Sequence, residues 1–416
     1  MAGAYCSIIG LNYLPFVRVL ANSLKKFNSE EIYVLVLDAD YQDYDLSHEA
    51  FNVLSTKDIG LTENTFLEMA TSYDVMELAT ALKPFLITYL LKKYSWVTYL
   101  DPDICVFDNL IKTSAEFNKS DLVLIPHVLS AMPKDDCHPT EEIILASGIY
   151  NLGFISVAQT ADFFLEMWAN FTKRHCISDI SNGLFVDQRF CDIAPVLTNC
   201  KVLREPQYDV AYWNLYERSI KKSANDYLVN GNKLGFFHFS GFDPEKPYIL
   251  SKHELGKSRI NLKTYNNLIE LLIYYSEEVI RCGYGELKDV KYPFSIINLK
   301  YKLEKSHRRL YRRALLLKDL DETLEVSNPF LNLSSFIKLA NERVSKFWKA
   351  YNDIEIKNHP EIKTSLLSWY LFEYWLARPD LQKAFPLALT DQMEIYLNWA
   401  QTSGLKEGIW PELIPN

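Results

Sequence analysis

The chain is predicted to be an α/β protein, with a mainly parallel sheet flanked by helices and then a C-terminal α-helical region. Three observations carry this expectation. Residues 4–9 and 32–37 are apolar, β-prone runs separated by an amphipathic stretch over 15–26. Strand, helix, strand at so short a spacing implies parallel neighbours joined by a crossover helix. Apolar runs also end on acids, Asp38 after the second run and Asp101 after residues 96–100. Beyond residue 255 the strand signals fade and helical periodicity takes over.

In chain order, residues 4–9 form a first buried strand, and Leu11, Asn12 and Tyr13 form the loop after it. The helix over 15–26 places Phe16, Val19, Leu20 and Leu24 on one face. The second strand runs into Asp38. Residues 51–53 form a short third strand, and 73–93 reads as one long helix with Pro84 as a kink site. The strand over 96–100 leads to Asp101-Pro102-Asp103. Residues 120–126 are another strand, and 128–140 a polar loop. The strand over 148–157 is interrupted by Asn151 and Gly153, a pattern of close approach by a ligand or backbone. A helix over 161–174 follows, then the polar pair Asp187-Gln188. Residues 200–203 and 235–239 are short strands. Helices are expected over 262–281, 301–318, 333–351, 362–376 and 390–400, with breaks at Pro329 and Pro360. The expected organisation is a ligand-binding domain over 1–255, a helical connector over 256–326 and a helical accessory domain over 327–416.

The composition is that of a globular chain, 48% hydrophobic and 23% charged. No apolar run is long enough to span a membrane. Seven cysteines without metal-ligand spacing fit reduced thiols, and the N-terminal residues lack a basic, cleavable leader pattern. A cytoplasmic protein is the expectation. The net charge of -9 argues against nucleic acid as a partner. Neither a dinucleotide-binding nor a Walker glycine pattern occurs, so any bound phosphates must be neutralised by a metal and side chains.

Several groupings point to chemistry. Asp101 and Asp103, two residues apart at a strand end, can face one hard cation such as Mg²⁺ or Mn²⁺. An acidic turn is the bland alternative. His238, at the end of the strand over 235–239, is the best third ligand, against a buried histidine bonded to backbone. Asn151 and Gly153 suit a sugar hydroxyl with clearance beside it, or else a bulge. Asp187-Gln188 can stabilise positive charge on an anomeric carbon, or Asp187 can be a helix cap. Residues 208–214, rich in aromatics, line an acceptor cleft or pack a core.

Together these pieces resemble a GT-A glycosyltransferase, nearest the retaining family 8 type of bacterial surface-polysaccharide biosynthesis. Leu11-Asn12-Tyr13 stands at the loop that meets the nucleobase, and Lys83 at the basic position before the metal motif. Tyr99-Leu100-Asp101-Pro102-Asp103 resembles the DXD metal motif, and Asn151-Leu152-Gly153 the sugar-contacting strand. Asp187-Gln188 resembles the pair at the anomeric centre. His238-Phe239-Ser240-Gly241, followed by Lys246-Pro247-Tyr248, resembles the C-terminal motif. The chain departs in three places: the spacing from Gly241 to Lys246 is longer, Tyr248 replaces a tryptophan, and Lys83 replaces an arginine. A stretch from Ala377 to Glu407 resembles a helical segment found beside such enzymes.

The resemblance implies a metal-dependent transfer from a nucleotide sugar, UDP-hexose by default, to a hydroxyl of a glycan or lipid-linked acceptor. Asp101, Asp103 and His238 would hold Mn²⁺ or Mg²⁺. Leu11, Asn12, Tyr13, Asp38, Lys83, Asn151, Gly153, Ser240 and Gly241 would hold the donor, with Asp187 and Gln188 catalytic. Were the reaction inverting, Asp243 would be the base. The rival readings are a metal-dependent hydrolase of nucleotide sugars or phosphoesters, and a non-catalytic carbohydrate-binding protein.

One stretch stands apart. Residues 300–318 carry Lys300, Lys302, Lys305, Arg308, Arg309, Arg312, Arg313 and Lys318 against Glu304. Such a basic helix offers peripheral contact with anionic lipid at the inner membrane face. Packing on acidic surface of the same protein is the competing expectation.

Overall fold

The computed structural model describes residues 2–224, 226–254 and 256–414. The chain forms two compact units, Met1–Leu61 with Glu77–Tyr292, and Thr62–Met76 with Pro293–Asn416. The chain passes from one unit to the other at Leu61–Thr62, Met76–Glu77 and Tyr292–Pro293.

The first unit is α/β. Strand β1 (Gly3–Ile9) is buried along its whole length, as befits a strand covered on both faces. Helix α1 (Leu14–Phe27) begins with Pro15 in its first turn, where a missing N–H costs no hydrogen bond. It turns Phe16, Val17, Leu20 and Leu24 inward. Strands β2 (Glu31–Val36) and β3 (Asn52–Leu54) continue the sheet. The chain then contributes α2 (Glu63–Ser72) to the second unit. The long helix expected over 73–93 is divided into α3 (Val75–Ala81) and α4 (Lys83–Leu91). Pro84 lies in the first turn of α4, which is where a helix accepts proline.

Strand β4 (Trp96–Leu100) is wholly buried, and β5 (Ile104–Val106), β6 (Leu122–Pro126) and β7 (Tyr150–Ala158) follow. The seven-stranded sheet has the order Cys200–Val202, β6, β7, β4, β1, β2, β3. All its neighbours pair in parallel except β7, which is antiparallel to both β4 and β6. That reversal brings the N-terminal residues of β7 to the edge where β1, β2 and β4 end. At the same edge β5 pairs with the antiparallel strand Phe236–His238, with His238 opposite Ile104. The helix Asn266–Arg281 packs Leu268, Leu271, Leu272, Tyr275 and Val279 in one apolar cluster with Phe16 and Val19 of α1. This burial is why the first unit runs past residue 255.

The second unit is helical around Lys305–Leu320. The four arginines of this basic helix turn inward and are not offered to lipid, while Lys300, Lys302 and Lys305 are exposed. Arg308, Arg309, Arg312 and Arg313 are only 4%, 9%, 6% and 8% exposed. Arg308 donates to the carbonyls of Ala70 (2.8 Å), Tyr73 (2.6 Å) and Phe294 (2.8 Å). It thereby satisfies carbonyls at the C-terminal end of α2 that have no partner within that helix. Arg313 pairs with Glu355 at 2.6 Å and Glu373 at 2.8 Å and lies over the Tyr351 ring. Asn328 donates to the Leu67 carbonyl and to Thr71. The second expectation, packing within the protein, is the one observed, although backbone carbonyls take much of the charge. Among the described residues no helix is long and apolar enough to cross a membrane.

His307 gives this unit a pH dependence. Its Nδ1 accepts the Glu304 N–H (3.2 Å), and its ring stacks on Trp410 with centroids 4.1 Å apart. Burial, aided by Arg308, pushes the imidazole down to about 3. In the unfolded chain it titrates near ~6.5. A depressed folded value means the contribution of neutral His307 is complete above about pH 6.5 and drains away as pH falls toward 3. His307→Phe keeps an aromatic ring on Trp410 and cannot be protonated. We expect its urea midpoint, followed by circular dichroism, to fall less between pH 7 and 4 than that of the parent. Identical pH dependence would sink this account.

Candidate metal centre

The metal-type cluster is built by hydrogen bonds across the sheet edge. Where β4 ends, the Asp101 N–H donates to the Gly153 carbonyl (2.8 Å) and the Ile104 N–H to the Asp101 carbonyl (3.1 Å). Asp101-Pro102-Asp103 is thus the tight turn between β4 and β5, and both carboxylates stand at the C-terminal end of β4. The Phe239 N–H donates to the Asp103 carbonyl (2.9 Å), which sets His238 against the same turn. His238 Nε2 lies 3.1 Å from Asp103 Oδ1 and 3.8 Å from Asp101 Oδ2. One ligand atom from each of Asp101, Asp103 and His238 falls within 4.8 Å of the others. Two carboxylates and one imidazole form a donor set that fits Mn²⁺ or Mg²⁺.

The imidazole is held from behind as well. Its Nδ1 lies 3.5 Å from Oδ1 of the fully buried Asp209, and Trp213 stands edge-on at 5.3 Å. A Cβ at Gly153 would sit 2.4 Å from His238 Cε1. The expected clearance at this glycine is real, and the imidazole uses it. Burial opposes charge on His238, but Asp103 and Asp209 more than offset it and raise the imidazole well above its ordinary value.

Lys83 links this cluster to Asp187. It is the first residue of α4 and 4% exposed. Its Nζ donates to the Leu152 carbonyl (2.8 Å) and lies 3.3 Å from Asp187 and 3.8 Å from Asp101. Burial works against its charge, yet Asp187 and Asp101 prevail and raise it, so it remains an ammonium. Asp187 is raised to about 6 by burial, with Lys83 opposing and Asp101 reinforcing the shift. The Tyr99 hydroxyl donates to Asp101 (2.8 Å).

The other expected residues occupy distinct places. Asp38 is buried and accepts the Leu11 N–H (2.9 Å), which fixes the loop after β1. Leu11 is buried and Asn12 partly exposed, while Tyr13 stacks on Phe16 within electrostatic reach of Asp103 and Asp101. The Asn151 amide accepts the Gly153 N–H (2.9 Å) and meets His127 Nε2 (3.3 Å). The Gln188 amide accepts the Leu152 N–H (3.2 Å) and donates to the Ser147 carbonyl (3.0 Å). Both amides brace β7. Ser240 and Gly241 form the turn after His238. Gly241 has φ +70°, and a Cβ there would meet His253 at 2.5 Å. Asp243 pairs with Lys246 at 3.2 Å and accepts the Glu245 N–H.

Sequence reasoning passed over Asp209 and His127. Asp209 was counted only within an aromatic run. Its meaning comes from pairing: the His238 N–H donates to the Val210 carbonyl (2.8 Å), which sets Asp209 behind the ring.

No family model matches the chain. A curated relative, the uncharacterized protein YfnD of Bacillus subtilis (strain 168), is 21% identical over 250 residues, covering 57% of this chain and 77% of that protein. Among solved structures, the galactosyltransferase LgtC in complex with donor and acceptor sugar analogs aligns over 66% of this chain and 96% of its own. Its identity is 14% and its TM-score 0.37. Likeness at these levels assigns neither family nor reaction.

Gly153→Ala tests the geometry. The added methyl drives the imidazole away from the two acids, so we expect Mn²⁺ affinity, measured by calorimetry, to fall by about tenfold or more. Far-UV circular dichroism should stay unchanged. Parental affinity in the variant would refute the placement of His238.

Proposed function

We propose that the chain is a metal-dependent glycosyltransferase of GT-A type. It would move a sugar from a nucleotide sugar, UDP-hexose as the default donor, to a hydroxyl of a glycan or lipid-linked acceptor. Cytoplasmic polysaccharide assembly is the setting this reading implies. The convergence of Asp101, Asp103 and His238 at the ligand edge of a mainly parallel sheet carries it. A nucleoside diphosphate leaves poorly unless its growing charge is neutralised, and a divalent ion on these three residues would supply that neutralisation when bound.

The remaining roles follow from position and charge. Asp38 holds the Leu11-Asn12-Tyr13 loop by the Leu11 N–H, and that loop would receive base and ribose. The Lys83 ammonium stays charged beside Asp187 and Asp101 and would face the anionic donor. Asp187, kept near a cation in a buried setting, would stabilise positive charge developing at the anomeric carbon. Asn151 and Gln188 would act by bracing β7 beneath the sugar, and Ser240 and Gly241 would flank the diphosphate. With the acceptor hydroxyl on the leaving-group face, the diphosphate oxygen can take its proton, which favours retention.

The test is turnover of UDP-hexoses with Mn²⁺, followed by UDP release with and without added acceptor. We expect acceptor-dependent release that EDTA abolishes and that Asp103→Asn lowers by about 10²–10³-fold or more, with the fold intact by circular dichroism. Acceptor-independent release throughout would favour the hydrolase reading, and nucleotide-sugar binding without turnover the carbohydrate-binding one. NMR of the product decides stereochemistry: an inverted anomeric centre would overturn retention.

A further inference from the structure

We propose that Asp209 is a positioning residue that fixes the tautomer and orientation of the His238 imidazole, an inference that rests on the metal centre read above. Asp209 is fully buried and directs Oδ1 at His238 Nδ1 across 3.5 Å. Among the described residues, neither of its carboxylate oxygens has a hydrogen-bond partner, and neither has His238 Nδ1, so the two groups face each other as each other's nearest polar neighbour. A buried carboxylate with no other donor is costly to keep, so its place behind the ring asks for a reason. Arg218 offers electrostatic support, but its Nη1 bonds the carbonyls of Pro206 (2.5 Å) and Tyr208 (2.7 Å) instead. The backbone at Asp209 is also left-handed, with φ +52°. Non-glycine residues hold that conformation only where surrounding structure enforces it. Here the enforcing contacts are the Val210–Phe237 bridge and the His238 N–H to the Val210 carbonyl (2.8 Å).

The chemistry follows from the two ring nitrogens. When Nδ1 carries the proton and donates to Asp209, the Nε2 lone pair faces Asp101 and Asp103, as a metal ligand must. When the proton sits on Nε2, the ring donates to Asp103 and offers the ion nothing. Gly153 on one side and the Trp213 edge on the other limit how far the ring can shift. Asp209 therefore decides which nitrogen is free.

The experiment uses the full chain. Long-range ¹H–¹⁵N NMR in saturating Mg²⁺ reads the His238 tautomer, and calorimetry reads Mn²⁺ affinity. We expect the Nδ1–H tautomer in the parent. Asp209→Ala should weaken Mn²⁺ binding by about 10–100-fold and move the proton to Nε2. Asp209→Asn, which still accepts from Nδ1–H, should recover part of the affinity. A parent that carries its proton on Nε2 with the metal bound overturns the proposal whatever the variants do. So does Mn²⁺ affinity that is unmoved by Asp209→Ala. A parent that binds no Mn²⁺, with Asp103→Asn making no difference, removes the metal centre itself and this inference with it.

Discussion

Four acids crowd the end of β4, and two cationic side chains hold them there. Asp101, Asp103, Asp187 and Asp209 face Lys83 and His238 at 3.1–3.8 Å. Two like charges 4 Å apart repel by about 4 kcal/mol at an effective dielectric of 20, so the arrangement depends on Lys83 and on either a charged His238 or a cation bound beside it to offset that repulsion. α4 begins at Lys83, whose Nζ reaches both Asp187 and Asp101. β7 carries a glycine where the imidazole lies against it, and its Leu152 carbonyl anchors the lysine. An excess of acid at one edge of the sheet is also what makes a divalent cation a welcome guest there.

Much of this plan was legible in the sequence. Apolar runs broken by Asp38 and Asp101 located the strands and their ligand edge, since buried strands and polar termini leave a direct compositional trace. The DXD turn and His238 were named as one cluster, and they converge as expected. Strand direction left no such trace. β7 is apolar like its neighbours, and nothing in a doubly covered strand says that it runs the other way. Gly153 was legible as a place of close approach, but not as the place of His238. Asn151 and Gln188 look like sugar-facing amides until their partners are seen to be backbone groups and His127. Asp209 was invisible as a partner because its role depends on which strand its neighbour Val210 pairs with.

The arginine helix teaches the limit of charge counting. A run of eight bases against one acid reads as a surface, because an unpaired guanidinium in a core is prohibitively costly. Yet a guanidinium has five donors in a rigid fork, and helix ends offer carbonyls with no partner of their own. Arg308 meets such carbonyls at the end of α2, and Arg313 meets Glu355 and Glu373. A polar core held in this way specifies partners by geometry, where an apolar one would specify them by volume. The sequence could not announce it, since α2 lies far upstream of the arginines that complete it.

That separation has a consequence for how the protein is made. α2 leaves the ribosome early, but Arg308 and Asn328, which satisfy its carbonyls, emerge more than two hundred residues later. At translation rates of about 5–20 residues per second the helix waits roughly 10–50 s for its partners. During that time Phe66, Leu67, Met69 and Ala70, all buried in the finished protein, lack the unit that covers them. Chaperone capture of the nascent chain would have a natural target in this one helix.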